Sequence, residues 1–157
     1  MAAMVTPNEQ HHRLKALAGE WVGEETLSAS PWGPGGQATG KVSARVDLDG
    51  FFVLWDYVEE RNGKPTFRGH GVFAWDNEQR DYAFFWFDSM GYVQTGPSRG
   101  SFEWDTLVFT RVLPRGQTRH TFRFTDPSTY RMTIENSFDG GATWTQFLEG
   151  VYRKQGR

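Results

Sequence analysis

His120 is the residue with the clearest capacity for chemistry in this chain. It lies within Arg119-His120-Thr121-Phe122-Arg123-Phe124, where His120, Phe122 and Phe124 alternate with Arg119, Thr121 and Arg123. Alternation of that kind belongs to a strand with one apolar face, so His120 faces inward with two phenylalanines. A neutral imidazole there could serve as an acid or base, or ligate a metal or haem. It could equally be an inner histidine bonded to Asn136 or Glu25, since buried polar groups normally find partners. Asn136 reaches the same side with Met132 and Ile134, opposite Arg131, Thr133 and Glu135.

Glu25 shares a face with Trp21, Gly23 and Leu27. An unpaired carboxylate there would be costly. Arg111, on the face of Leu107 and Phe109, is its expected partner. The pair reads either as an ion pair in the wall or as an anchor for the acidic or polar end of a ligand. Trp55, Phe84, Trp86, Phe122 and Phe124 supply apolar walls. The set describes a pocket for a small hydrophobic or amphipathic molecule, oriented by His120, Asn136 and Arg111. Two other readings stand beside it. One is an enzyme of the isomerase or hydratase type, using His120 with Glu25 or Asp88. The other is a barrel packed solid with side chains, acting as a dimerisation module.

These residues need strands to position them. Thr6-Pro7-Asn8-Glu9 predicts a capping box and a helix over about 7–18, with Leu14, Leu17 and Ala18 as its apolar stripe and Gly19 as its stop. His11 and His12 are expected in solvent on that helix. From Glu20 the period becomes two. Strands are expected near 20–28, 39–48, 51–60, 64–75, 80–88, 97–104, 105–112, 117–125, 129–138 and 143–153. Trp21, Gly23, Glu25 and Leu27 would face inward, as would Val42, Ala44, Val46 and Leu48. Asp49-Gly50, Asn62-Gly63 and Asp139-Gly140-Gly141 are hairpin signals. Pro31-Trp32-Gly33-Pro34-Gly35-Gly36 is a loop, and Gly91 to Gly100 a second weak region. His70 lies between Gly69 and Gly71, and its side is left open. Short connections make sequence neighbours sheet neighbours. The fold class is therefore all-β, an up-and-down antiparallel barrel of about ten strands over 20–153, with a short N-terminal helix, in one domain spanning 1–157.

Phe51-Phe52-Val53-Leu54-Trp55 and Tyr82-Ala83-Phe84-Phe85-Trp86-Phe87 are apolar on both faces. One face of each must point out of a single-sheet barrel, and a homodimer is the expected cover. The formal net charge of −2 offers no basic field for nucleic acid. With no cysteine, disulfides and zinc–thiolate sites are excluded. Met1 to Gln10 has no secretory pattern, and no apolar run approaches the roughly 18–20 residues of a membrane span. A cytoplasmic protein without a membrane partner is expected. Gly-x-Ser-x-Gly, Gly-x-x-x-x-Gly-Lys-Ser/Thr and His-Glu-x-x-His are all missing, so catalytic residues stay unassigned and no metal site is expected.

Gly19-Glu20-Trp21-Val22-Gly23 opens the first strand, and Arg153 stands on the last. That combination resembles the calycins, the group of lipocalins and fatty-acid-binding proteins. The resemblance implies that Trp21 closes the barrel floor beneath the Arg153 guanidinium. Ser137-Phe138-Asp139-Gly140-Gly141-Ala142-Thr143-Trp144 is similar to the Asp-box of sialidase propellers, a hairpin brace. Here Asp139 would bond loop amides and Trp144 anchor the turn, and the chain is too short for a propeller.

The chain is identified as similar to a mostly bacterial family, number 1579 among the domains of unknown function. Gly19 to Glu25, Asp49-Gly50-Phe51-Phe52, Phe67 to Phe73, Trp86 to Gly91, Ile134 to Ser137 and Glu149-Gly150-Val151-Tyr152 carry the resemblance. It implies a lipocalin-like barrel and assigns no reaction. The nitrobindin-like haem barrels resemble it in the Gly-x-Trp-x-Gly strand. Their ligating histidine lies on a late strand, where this chain reads Thr145-Gln146-Phe147-Leu148-Glu149. Haem would therefore have to be held by His120 from another strand.

Overall fold

The computed structural model describes residues 5–31 and 33–156, so Trp32 of the expected Pro-Gly loop and the first four residues lie outside it. A short helix, α1 (Glu9–Arg13), runs into a 3-10 turn (Leu14–Leu17). Ten strands follow: β1 (Gly19–Leu27), β2 (Gly36–Asp47), β3 (Phe52–Arg61), β4 (Lys64–Asp76), β5 (Asp81–Asp88), β6 (Ser98–Glu103), β7 (Thr106–Leu113), β8 (Gly116–Asp126), β9 (Thr129–Ser137) and β10 (Thr145–Lys154). Each pairs antiparallel with its sequence neighbours, and β1 pairs with β10 to close the barrel.

Turn chemistry explains the meander. Asn62 and Gly63 both take positive φ, 52° and 74°, as a two-residue hairpin turn requires. Leu48, Asp49 and Gly50 are also left-handed, within a 3-10 turn from Leu48 to Gly50. This turn takes Leu48 off the inward face expected for it, while Val46 keeps its register with inward-facing Val53 and is exposed by its place at the barrel end. The rest of β2 follows the alternation, with Ala38, Gly40, Val42 and Ala44 buried.

The helix differs from the sequence reading in its cap. Asn8, not Thr6, is the N-cap: its Oδ1 accepts from Gln10 N at 2.8 Å and His11 N at 3.3 Å. His11 Nδ1 accepts in return from Asn8 N at 3.0 Å. Asparagine is the stronger cap, and choosing it places Pro7 before the helix. His11 is consequently buried against Phe51 rather than solvated, and burial together with His12 lowers its pKa.

The helix and turn cover one end of the barrel. Leu14 and Leu17 are buried, Trp21 Nε1 donates to Leu17 O at 3.0 Å, and Tyr82 OH donates to Gln10 O at 2.8 Å. The cation over Trp21 is Lys154, with Nζ 5.4 Å from the ring centroid. Arg153 does not take that place, because Tyr152 faces inward and alternation turns Arg153 out.

Inside, the aromatic residues pack on each other. Phe73 stacks on Phe84 at 4.5 Å, and Trp55 meets Phe73, Phe84 and Phe122 edge-on. Such pairs hold geometry as well as burying area. The doubly apolar segments divide by alternation. Val53, Trp55 and Tyr57 face inward, and Phe52 and Leu54 face outward; Tyr82, Phe84 and Trp86 face inward, and Phe85 and Phe87 face outward. Among the described residues, no helix is long and apolar enough to cross a membrane.

Candidate functional site

Among the described residues no helix covers the end opposite α1, and the inward residues of β5, β7, β8 and β9 there are only half-buried. β7 brings Arg111 into register with Thr118 of β8, which is in register with Asn136 of β9. Thr118 Oγ1 donates to Asn136 Oδ1 at 3.1 Å. One inward step deeper, His120 lies in register with Phe109 and Ile134. Trp86 of β5 adds an aromatic side, its Nε1 donating to Asp88 Oδ2 at 2.8 Å. Arg111, Thr118, His120, Ile134, Asn136 and Trp86 are all partly accessible, whereas Phe73, Phe109 and Phe122 beneath them have no exposed surface. This gradient makes a cup with a closed floor.

Two members of the cup have no protein partner. Among the described residues, neither His120 nor Arg111 makes a side-chain hydrogen bond or an ion pair. The His120 ring meets Phe84 edge-on at 5.6 Å, and its apolar surroundings lower its pKa to about 4. It is neutral at ordinary pH and can donate one hydrogen bond and accept one.

The expected pairing of Arg111 with Glu25 does not form. Glu25 is fully buried at another level of the barrel and belongs to two tyrosines. Tyr57 OH lies 2.7 Å from Oε1, and Tyr152 OH donates to Oε2. Burial raises the Glu25 pKa to about 7, against the opposing effect of both hydroxyls. The sequence does not announce this triad, because Tyr57 and Tyr152 stand 32 and 127 residues from Glu25 along the chain. The signal was present in Gly23, Gly40 and Gly150, which leave room for the Tyr152 ring and the Glu25 carboxyl.

Other expected site residues disperse. Trp55 and Phe122 belong to the floor. Phe124 packs at the helix-covered end, 5.5 Å from Tyr130. Four residues along a strand span about 13 Å, which separates it from His120. Asp88 is held by Trp86 and by Met90 N, so neither expected carboxylate bonds His120. His70 faces outward and meets Asp56 at 2.6 Å. The Asp139 brace forms as expected: its Oδ1 accepts from Thr143 N at 2.8 Å and Ser137 Oγ at 2.9 Å. Trp144 lies under the Arg119 guanidinium at 4.1 Å.

Haem does not fit these residues. The space inward of His120 is filled by Phe84 and Phe109, whose centroids are 5.5 Å apart. Among the described residues, no three His, Asp or Glu side chains converge as a metal site. Two shallow hollows, about 250 and 220 Å³, lie beside the rim along β4 and β5, lined by Arg68 and Ser89 among others.

Residues 6–154 match the family model described as a protein of unknown function, DUF1579. The chain belongs to the DUF1579 family. No curated protein matches this DUF1579 chain. Its barrel is similar to the crystal structure of Rv2717c from M. tuberculosis, with TM-score 0.70 at 14% identity, covering 95% of this chain and 99% of that one. It is also similar to the S-type phycobiliprotein lyase CPES from Guillardia theta, with TM-score 0.66 at 9% identity, covering 94% and 93%. At these identities the likeness establishes the fold of the DUF1579 barrel and nothing of its chemistry.

Proposed function

We propose that the barrel binds a small amphipathic molecule in the cup at its uncovered end. The observation that carries this reading is the unpartnered pair Arg111 and His120, half-buried on an inward face floored by aromatic rings. A half-buried guanidinium without a carboxylate favours a ligand with an anionic or strongly accepting head. His120 and the Thr118–Asn136 pair would fix the head, and Trp86 with Phe84 would take the apolar body. The aromatic floor limits the depth, so the body is short or lies along the rim.

Acid–base catalysis has less support, because His120 has no carboxylate bonded to it and Glu25 is sealed by Tyr57 and Tyr152. A homodimer remains part of the proposal. The outward row of Leu54, Val72 and Phe85, in register across β3, β4 and β5, supports it.

The test is a titration with 1-anilinonaphthalene-8-sulfonate, an aromatic anion, followed by its fluorescence. Saturable binding that weakens in Arg111→Ala and His120→Phe supports the cup. Binding that is absent, or equal in all three proteins, removes it.

A further inference from the structure

The mouth of the cup carries an apolar arc that the barrel core does not use. Tyr92 and Val93 of the loop between β5 and β6 are 71% and 85% exposed, and Phe138 of the loop between β9 and β10 is 75% exposed. Met90, Val112 and Leu113 are exposed beside them. The up-and-down topology brings these loops to one end. Phe138 lies against the turn after β7, where a Cβ on Gly116 would stand 3.0 Å from its ring.

The arc borders the weakest part of the wall. β5 pairs with β6 only through Tyr82, Ala83 and Phe84. Phe85 to Asp88 therefore run beyond that ladder, and the segment 89–97 bridges to β6 past them.

Charge distinguishes the two ends. Segments 28–35, 62–63 and 89–97 contain no Asp, Glu, Lys or Arg, and segments 114–115 and 138–144 add only Arg115 and Asp139. Asp139 is committed to Ser137 and Thr143. Arg68, at the same end, joins the 89–97 segment through its backbone, its N donating to Ser89 Oγ at 3.1 Å and its O accepting from Ser89 N at 2.8 Å. The side chains of Arg68 and Arg115 have no ion pair or hydrogen bond among the described residues. The helix-covered end carries Glu9, Arg13, Lys15, Asp49, Glu78, Arg80 and Asp105 instead.

We infer that this end docks on the surface of an anionic lipid bilayer, with Tyr92, Val93 and Phe138 entering the headgroup region and Arg68 and Arg115 facing lipid phosphates. Apolar tips flanked by unpaired arginines match an interfacial contact, in which shallow burial and attraction to anionic lipid act together. The absence of a spanning segment does not bear on this, since the contact is peripheral. Docking here places the cup mouth against the lipid, so it deepens the ligand reading and rests on it for that last step only.

Flotation of the full chain with vesicles tests the inference. Vesicles of phosphatidylcholine alone are compared with vesicles of equal parts phosphatidylcholine and phosphatidylglycerol. The expected result is binding to the anionic vesicles, weakened by salt, and about tenfold loss in Tyr92→Ser/Val93→Ser/Phe138→Ser with its melting temperature retained. No binding to either vesicle overturns docking, while anilinonaphthalene sulfonate uptake reports separately on the cup. A dimer in sedimentation equilibrium that the triple variant converts to monomer also overturns it, by assigning the arc to a second copy.

Discussion

Tyr57 and Glu25 are bound through both carboxylate oxygens, the hydroxyl lying 2.7 Å from Oε1 and 2.9 Å from Oε2. Tyr152 approaches the same carboxyl from the last strand. Burial raises the pKa values of both tyrosines, keeping them as donors. The result is a carboxyl group deep in an aromatic barrel with a pKa near 7.

Glu25 and His120 should impose opposite pH slopes on stability. The folded state holds the Glu25 proton from its ordinary 4.5 up to about 7, so its contribution is full below pH 4.5 and is lost as pH rises through 7. His120 resists protonation from 6.5 down to about 4, so its contribution is full above pH 6.5 and is lost as pH falls through 4. The two partly cancel between pH 4.5 and 6.5. Urea unfolding of Glu25→Gln should show stability rising with pH there, and His120→Phe should show it falling. Each slope integrates to about 3 kcal/mol. Parallel slopes in the two variants would contradict this assignment.

Gly40 should not tolerate a side chain. An added Cβ would stand 2.7 Å from Glu25 Oε2 and would strike the Tyr152 hydroxyl. Gly40→Ala should cost about 1–3 kcal/mol by overpacking. Thermal melting should recover part of that loss in Gly40→Ala/Tyr152→Phe, where the struck oxygen is gone. No recovery would place the strain elsewhere.

Arg111→Ala should weaken binding of an anionic amphiphile about tenfold, the magnitude of one charge-assisted hydrogen bond. Its stability should change little, because the guanidinium has no protein partner to lose. Calorimetric titration beside a melting curve separates the two effects, and a large fall in melting temperature would mark Arg111 as structural.

Asp139→Ala should loosen the loop between β9 and β10 without opening the barrel. The carboxylate holds Thr143 and Ser137, and those bonds lower its pKa to about 2. Faster hydrogen exchange at the Thr143 amide, with β8 and β9 amides unchanged, is the expected pattern.

The strands and their inward faces were legible in the sequence wherever alternation was unbroken, as in β1, β8 and β9. Turn residues located the hairpins for the same local reason. The partners of the polar residues were not legible. Glu25 finds Tyr152 across the closing seam, and nothing local to either residue specifies that register. Lys154 replaces Arg153 over Trp21 through a one-residue difference in phase, which in a strand reverses the side. The cup was half legible: Arg111, His120 and Asn136 share one end of the barrel, but alternation gives a face and no depth, and Phe124 on the same face lies at the other end beside Tyr130.

Closure of the barrel sets an order on folding. Nine of the ten ladders join strands adjacent in sequence, and each can zip from its own turn. The tenth joins Trp21–Leu27 to Leu148–Lys154, across a separation of 127 residues at Glu25 and Tyr152. Loop-closure entropy opposes that contact more than any hairpin, so the seam is the late event. Glu25 loses its water in the same step. Shutting the ring of strands therefore means desolvating that one carboxyl group, and refolding followed by stopped flow should slow as pH rises above 7.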